Sequence, residues 1–280
     1  MLSTKQFHVS ALVFTIFIAT PLLADDLTAV NGGVIAVKLP EGVATANYND
    51  ENQLVIGNHA IVAIPVEAEI KTHALKVSLE DGSTFNIEFE VIKKKYEEQR
   101  IQIDDQSLVT PNEETLERRQ KEAAMMRTAY ARRSPAIDDI LPISLPVEGP
   151  RTGVFGTQRF YNDSEVSYSY HSGVDYAAPK GTPVSAPAPG TVVVTHDMYF
   201  NGKTVVIDHG SGFISVMCHL DSIDVEMDTV VKRGDVIGTV GSTGRSTGPH
   251  LHWTISLQGT KIDPEMFMDV ANGLAEESSE

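Results

Sequence analysis

Residues 250–257 of this 280-residue chain alternate without a break. His250, His252, Thr254 and Ser256 point one way, and Leu251, Trp253, Ile255 and Leu257 the other, as in a half-buried β-strand of period 2. Two histidines two positions apart on a strand share a face, roughly 6.5 Å apart along it. Residues 213–220 repeat the arrangement: His219 shares a face with Met217, Ser215 and Phe213, opposite an apolar face of Ile214, Val216, Cys218 and Leu220. A third segment holds His171 and Asp175. On a straight strand their Cα atoms would stand roughly 13 Å apart, and a bend at Ser172-Gly173, which glycine permits, brings them together. Four imidazoles and one carboxylate in three short segments are a surplus of metal-ligand chemistry. Catalytic zinc sites use three His or carboxylate ligands and keep a fourth position open, which leaves two histidines for proton transfer. No HExxH motif occurs, so a helical two-histidine site with a glutamate base is not the alternative.

In order, His171-x-x-x-Asp175, the His219 element and His250-x-His252 resemble the LytM/lysostaphin-type zinc endopeptidases, peptidase family M23. The surroundings agree: Phe155-Gly156 before the first ligand, Ala177 to Val184 after it, and Gly241 to Pro249 before the last pair. The resemblance covers about residues 147 to 268. It implies that His171, Asp175 and His252 bind Zn2+, that His219 and His250 assist catalysis, with His250 favoured as the base, and that peptide bonds of bacterial peptidoglycan are hydrolysed. Tyr168, Tyr170, Asn201 and Arg245 are candidate substrate-binding residues of a groove for an extended peptide. The alternative is a catalytically inactive family member that binds peptidoglycan and regulates other wall hydrolases. Such relatives are expected to lack one or more of the five positions, and all five are present.

Composition bounds the partners and the compartment. A net charge of −16, from 22 basic and 38 acidic residues, argues against nucleic acid, whose binders need basic patches. It also removes any general attraction to anionic wall polymers, so a shaped groove has to do the binding. Residues 1–24 read as a signal peptide, with Lys5, an apolar run from Val9 to Ile18, and Pro21-Leu22-Leu23-Ala24 before acidic Asp25-Asp26. The run falls short of the ~20 residues that span a bilayer. Cleavage near Ala24 implies a periplasmic or secreted protein with no transmembrane span. The single cysteine, Cys218, rules out an intramolecular disulfide, and its strand phase makes it a buried apolar residue rather than a ligand.

The expected fold is mainly β. Residues 25–107 read as a small β-sandwich of short strands, with Asp81-Gly82 as a hairpin turn. His59 and His73 are isolated there and read as structural. Residues 108–146 hold a helix, capped by Asn112 and stopped at Ser134-Pro135, then a Pro-rich linker. Residues 147–270 form the antiparallel β-sheet peptidase domain, with Asn201-Gly202 as a hairpin turn and a barrel-like, lipoyl-like element around Gly181–Val184 and Val230–Gly238. A lipoyl-type carrier would need an exposed attachment lysine; Lys203 lacks the flanking residues, and the histidines would be unexplained. Residues 271–280 read as a disordered tail. The sandwich, helix and linker resemble the N-terminal region of secreted Gram-negative family members. That resemblance favours D-alanyl–diaminopimelyl cross-links over glycyl bridges, and a contact of the N-terminal domain with the active-site groove is expected.

Overall fold

The computed structural model describes residues 27–162, 164–165 and 169–277. The expected signal peptide, residues 1–24, and Tyr168 lie outside the described residues.

The first unit is the expected sandwich. One sheet orders its strands Thr28–Val30, Thr84–Ile92, Thr72–Leu79, Val43–Tyr48 and Glu51–Asn52; the other orders Val34–Lys38, His59–Ala63 and Leu54–Ile56. Asp81-Gly82 makes the predicted hairpin, with Gly82 at φ +85° and the Asp81 carboxylate accepting from the Ser83 amide. Leu75, Val77, Phe89 and Val91 of the larger sheet pack on Val37, Ala60 and Val62 of the smaller. His73 bonds the Tyr48 hydroxyl and stacks on Phe89, a structural role. The smaller sheet buries its other face too: Val34, Leu54, Ile56, Ile61 and Ala63 join the core of the C-terminal unit. A strand reading Ala60-Ile61-Val62-Ala63 has no polar alternate to offer to water, so both faces must be covered.

The connecting segment is equally engaged. Strand Glu98–Ile101 runs parallel to Gln158–Tyr161, which pairs on its other edge with Ser169–Tyr170. Asn112 caps a 3-10 turn, Glu113–Thr115, through the Thr115 amide, and helix α1, Leu116–Tyr130, follows. Met125, Met126, Ala129 and Tyr130 of α1 cover Val194, Met198, Val206, Ile214, Val216 and Cys218 on the outer face of the C-terminal sheet. Burial pushes the Cys218 thiol up to about 12, so it stays protonated and inert.

That sheet has ten strands. Its main path runs Arg151–Gly153, Val174–Ala177, His250–Leu257, Phe213–Ile223, Gly202–Asp208, Gly190–Met198 and Val230–Val231. The lipoyl-like element is a side branch, Pro183–Ser185 with Val236–Val240, and among the described residues the strands do not close into a barrel. The Asn201-Gly202 turn needs its glycine: φ is +63°, and a Cβ there would stand 2.3 Å from Thr243 Oγ1.

The expected disordered tail is instead structured to Glu277. Helix α2, Pro264–Glu277, buries Phe267 and Ala271, packs Val270 and Leu274 on the main core, and bonds the Ile143 backbone through the Asn272 side chain. The i, i+3, i+4 spacing of Phe267, Val270, Ala271 and Leu274 marks an apolar helix face that the acidic C-terminal residues obscured.

Candidate metal centre and active site

Three segments converge on one point. Asp175 and His252 are direct partners in the antiparallel ladder between Val174–Ala177 and His250–Leu257, and His171 enters from the bend before the first of these strands. His171 Nε2 lies 3.0 Å from Asp175 Oδ1 and 2.9 Å from His252 Nδ1; His252 Nδ1 lies 2.8 Å from Asp175 Oδ1. The bend at Gly173 is where the sequence placed it, for a different reason. A Cβ there would stand 2.1 Å from the Trp253 carbonyl oxygen, so glycine permits close approach rather than a left-handed turn.

The outer nitrogens hold both rings, and a carbonyl fixes the tautomer of His171. His171 Nδ1 donates to the Val154 carbonyl at 2.9 Å, which leaves a lone pair on Nε2 of the neutral ring. His252 Nε2 meets Thr254 Oγ1 at 2.9 Å. Three electron-rich atoms thus form a triangle with sides of 2.8–3.0 Å, and one proton bridges only one edge of it. A single cation satisfies all three. Two imidazole nitrogens and a carboxylate oxygen are the donor set of a catalytic zinc site, so the residues fit the ion.

Burial and partners set the electrostatics. His171 is 3% exposed and Asp175 6%. Burial raises the Asp175 pKa, but its contacts with His171 and His252 outweigh this and hold the carboxyl well below the usual carboxylate range. Burial pushes His252 down to about 4. The other carboxylate oxygen, Asp175 Oδ2, accepts from Arg159 Nη2 at 2.6 Å. Gly153, the ladder partner of Asp175, makes room for it: a Cβ there would stand 2.1 Å from Oδ2.

His219 and His250 flank the triad, their ring centroids 4.9 Å apart. His219 Nδ1 donates to the Thr243 carbonyl and His250 Nδ1 to the Gly248 carbonyl, each at 2.8 Å. Each ring therefore turns its Nε2 away from its backbone anchor, and that of His250 lies 3.8 Å from Asp175 Oδ1. Burial, aided by His250 and His252, pushes His219 down to about 3.

The alternation expected of residues 213–220 breaks at His219. Its φ is +62°, and the ladder slips there, with Lys203 opposite Leu220 but Val205 opposite Met217. A bulge re-aims the side chain, and Leu220 packs with Met217 in the main core instead of with Ile214, Val216 and Cys218. A non-glycine residue at positive φ is strained and clusters at functional sites.

A cavity of about 320 Å³ opens beside these groups, lined by Asp175, His219, His250, Arg159 and Arg245 and, on the facing wall, Ile101. Of the three expected groove residues that are described, Tyr170, Asn201 and Arg245, the last lines this cavity. Asn201 accepts the His219 amide through its carbonyl and lines a separate hollow under α1. Tyr170 is exposed beside Tyr96 and lines another hollow next to His171.

The sequence profile of peptidase family M23 matches residues 169–264. The crystal structure of a Pseudomonas aeruginosa protein described as an M23 peptidase superposes with a TM-score of 0.69 at 38% identity, covering 85% of this chain and 94% of that one. This chain belongs to peptidase family M23. Among M23 relatives, the DD-carboxypeptidase/endopeptidase Mpg of Neisseria meningitidis is 42% identical over 98 residues, 35% of this chain and 23% of that protein. The peptidoglycan DD-endopeptidase ShyA of Vibrio cholerae is 42% identical over 93 residues, 33% of this chain and 22% of that one. The matched region is thus under a quarter of these curated relatives.

Sequence reasoning missed several supporting groups of this M23 site. Arg159 carries no signal beyond following Phe155-Gly156. The Val154, Thr243 and Gly248 carbonyls and the space at Gly153 depend on backbone placement, which residue types do not encode.

Proposed function

We propose that this chain is a zinc metalloendopeptidase that hydrolyses peptide cross-links of bacterial peptidoglycan. The observation that carries this reading is the triangle of His171, Asp175 and His252 donor atoms, with the imidazoles of His219 and His250 beside it. Zinc, when bound there, supplies a Lewis acid that polarises a carbonyl and lowers the pKa of water toward ~7. The protein supplies the rest. His171 and His252 are locked in rotation by Val154 and Thr254, so the donors are set before substrate arrives.

His250 faces the cavity more openly than the buried His219, so we assign to its Nε2 the proton of the attacking water. The Gly248 carbonyl then stabilises the imidazolium through Nδ1–H, and Nε2–H is placed to protonate the leaving amine. His219 suits a different part. Its Nδ1–H is committed to Thr243 and burial opposes a second proton, so it holds the water through its Nε2 lone pair.

The intramolecular contact expected of the N-terminal part belongs to the same proposal. Glu98–Ile101 lies along Gln158–Tyr161, and Gln99, Ile101 and Ile103 line the cavity of His219 and His250. We read this segment as one wall of the groove, restricting entry. Among the described residues no helix is long and apolar enough to cross a membrane, and residues 1–24, read as a signal peptide, would deliver the enzyme to the periplasm or outside the cell.

Metal analysis of the purified protein, together with mass identification of peptides released from sacculi, tests the reading. One equivalent of zinc with release of cross-linked stem peptides is expected. Zinc-loaded protein that binds sacculi but releases nothing would instead support the inactive regulator.

A further inference from the structure

A strained residue persists only where its surroundings hold it, and His219, at φ +62°, is held by two backbone oxygens. Its amide donates to the Asn201 carbonyl and its Nδ1 to the Thr243 carbonyl, each at 2.8 Å. Both anchors meet at one hairpin tip, Tyr199-Phe200-Asn201, between the strands Gly190–Met198 and Gly202–Asp208. Asn201 belongs to the tip, and just beyond it the Lys203 amide donates to Thr243 Oγ1 at 2.9 Å. The tip is gripped in turn from outside the sheet. Glu122 of α1 accepts the Tyr199 amide on Oε2 at 2.9 Å and Arg118 Nε on Oε1 at 2.7 Å. Arg118 Nη2 donates to the Asp197 carbonyl at 2.7 Å, and the Tyr199 hydroxyl to the Ser107 carbonyl at 3.0 Å.

Glu122 is out of place for a residue that only docks a helix. It is 6% exposed, and Glu122, Met126 and Ala129 share the i, i+4, i+7 stripe of α1 that covers the sheet. An apolar side chain there would pack without desolvating a charge. The two carboxylate oxygens go to one guanidinium and one loop amide, so what Glu122 adds over a leucine is a fixed hairpin tip. We propose that Glu122 is a positioning residue for His219, acting through Tyr199–Asn201 and Thr243, so that α1 serves the active site from behind the hairpin. This rests on the endopeptidase reading and deepens it: the helix of the connecting segment sets where His219 holds the attacking water.

The test uses the zinc-loaded full chain and a defined cross-linked muropeptide. E122L leaves the Tyr199 amide unanswered, whereas E122Q keeps an acceptor for it. E122L should lower kcat about tenfold or more, with KM within about twofold and zinc near one equivalent, and E122Q should restore most of the rate. In a His219→Ala background the E122L change should cost less than about twofold, because the side chain through which Glu122 acts is gone. A merely structural role would give the same loss in both backgrounds, which overturns the proposal. Nuclear magnetic resonance of 15N-histidine-labelled protein supplies a readout free of turnover. The His219 Nδ1–H signal, assigned by its loss in His219→Ala, should shift or broaden in E122L by more than that of His250 and return in E122Q. If the unsubstituted protein cuts nothing, the endopeptidase reading fails, and the signal alone decides: a moved resonance supports the role of Glu122 and an unmoved one overturns it. If E122L does not fold, R118M takes its place, since the Arg118 side chain is half exposed. It loosens Glu122 and frees the Asp197 carbonyl, and an unmoved His219 signal in R118M overturns the proposal.

Discussion

Asp175 Oδ1 and His252 Nδ1 lie 2.8 Å apart across a directly paired rung of the sheet. Rigid strands thus position two of three donors, and only His171 depends on a bend. Replacing any of the three by Ala should remove zinc and turnover together, because two protein ligands make an incomplete site. Atomic absorption on dialysed protein checks the metal. Full zinc occupancy with normal activity in His252→Ala would sink the assignment.

His219→Ala and His250→Ala are expected to behave otherwise. Neither ring belongs to the triangle, so zinc content should stay near one equivalent while kcat falls by roughly 10²-fold or more. Near-normal turnover of a defined muropeptide by either variant would make that histidine structural.

Much of this arrangement was legible in the sequence. Alternation in residues 250–257 is a local property, and it placed His250, His252 and Thr254 on one face correctly. Turn chemistry likewise located both hairpins, and Asn112 the cap before α1. The bulge at His219 was not legible: its positive φ arises from the slip against Lys203–Val205, which no local pattern encodes. The sharing of one core by the two units was equally hidden, since Ala60-Ile61-Val62-Ala63 reads as a buried strand without naming what buries it.

Arg159 should govern metal affinity without binding metal. Its Nη2 holds Asp175 Oδ2 at 2.6 Å, and both side chains are largely buried. Arg159→Met leaves that oxygen without its cation, so the carboxylate loses orientation. Zinc affinity should fall by roughly 10- to 100-fold, read by chelator competition. An unchanged affinity would show that the ladder alone orients Asp175.

If the segment after the sandwich restricts entry, trimming its cavity face should open the groove. Ile101 and Ile103 line the cavity, and Ile101→Ala with Ile103→Ala shortens both without disturbing backbone pairing. Release from intact sacculi should rise several-fold relative to release from a soluble muropeptide. Equal changes on both substrates would leave the segment as a plain scaffold.

The pH dependence of stability can be anticipated at a histidine remote from the triad. His209 donates through Nδ1 to the Pro189 carbonyl at 2.7 Å and meets Ser215 Oγ through Nε2 at 2.8 Å. Burial pushes it down to about 4 from 6.5. The folded ring therefore stays neutral at a pH where the unfolded chain binds a proton. Its contribution is intact above pH ~6.5, is lost as pH falls from there toward ~4, and then levels off. Between pH 7 and 5 the loss is about 2 kcal/mol, from 1.36 kcal/mol per unit. His209→Gln removes the titrating group, so denaturant unfolding at the two pH values should differ by about that much less than in the unsubstituted protein. The variant will be less stable at pH 7, yet flatter with pH. An identical slope in both proteins would mean that His209 is protonated, or exposed, in the folded state.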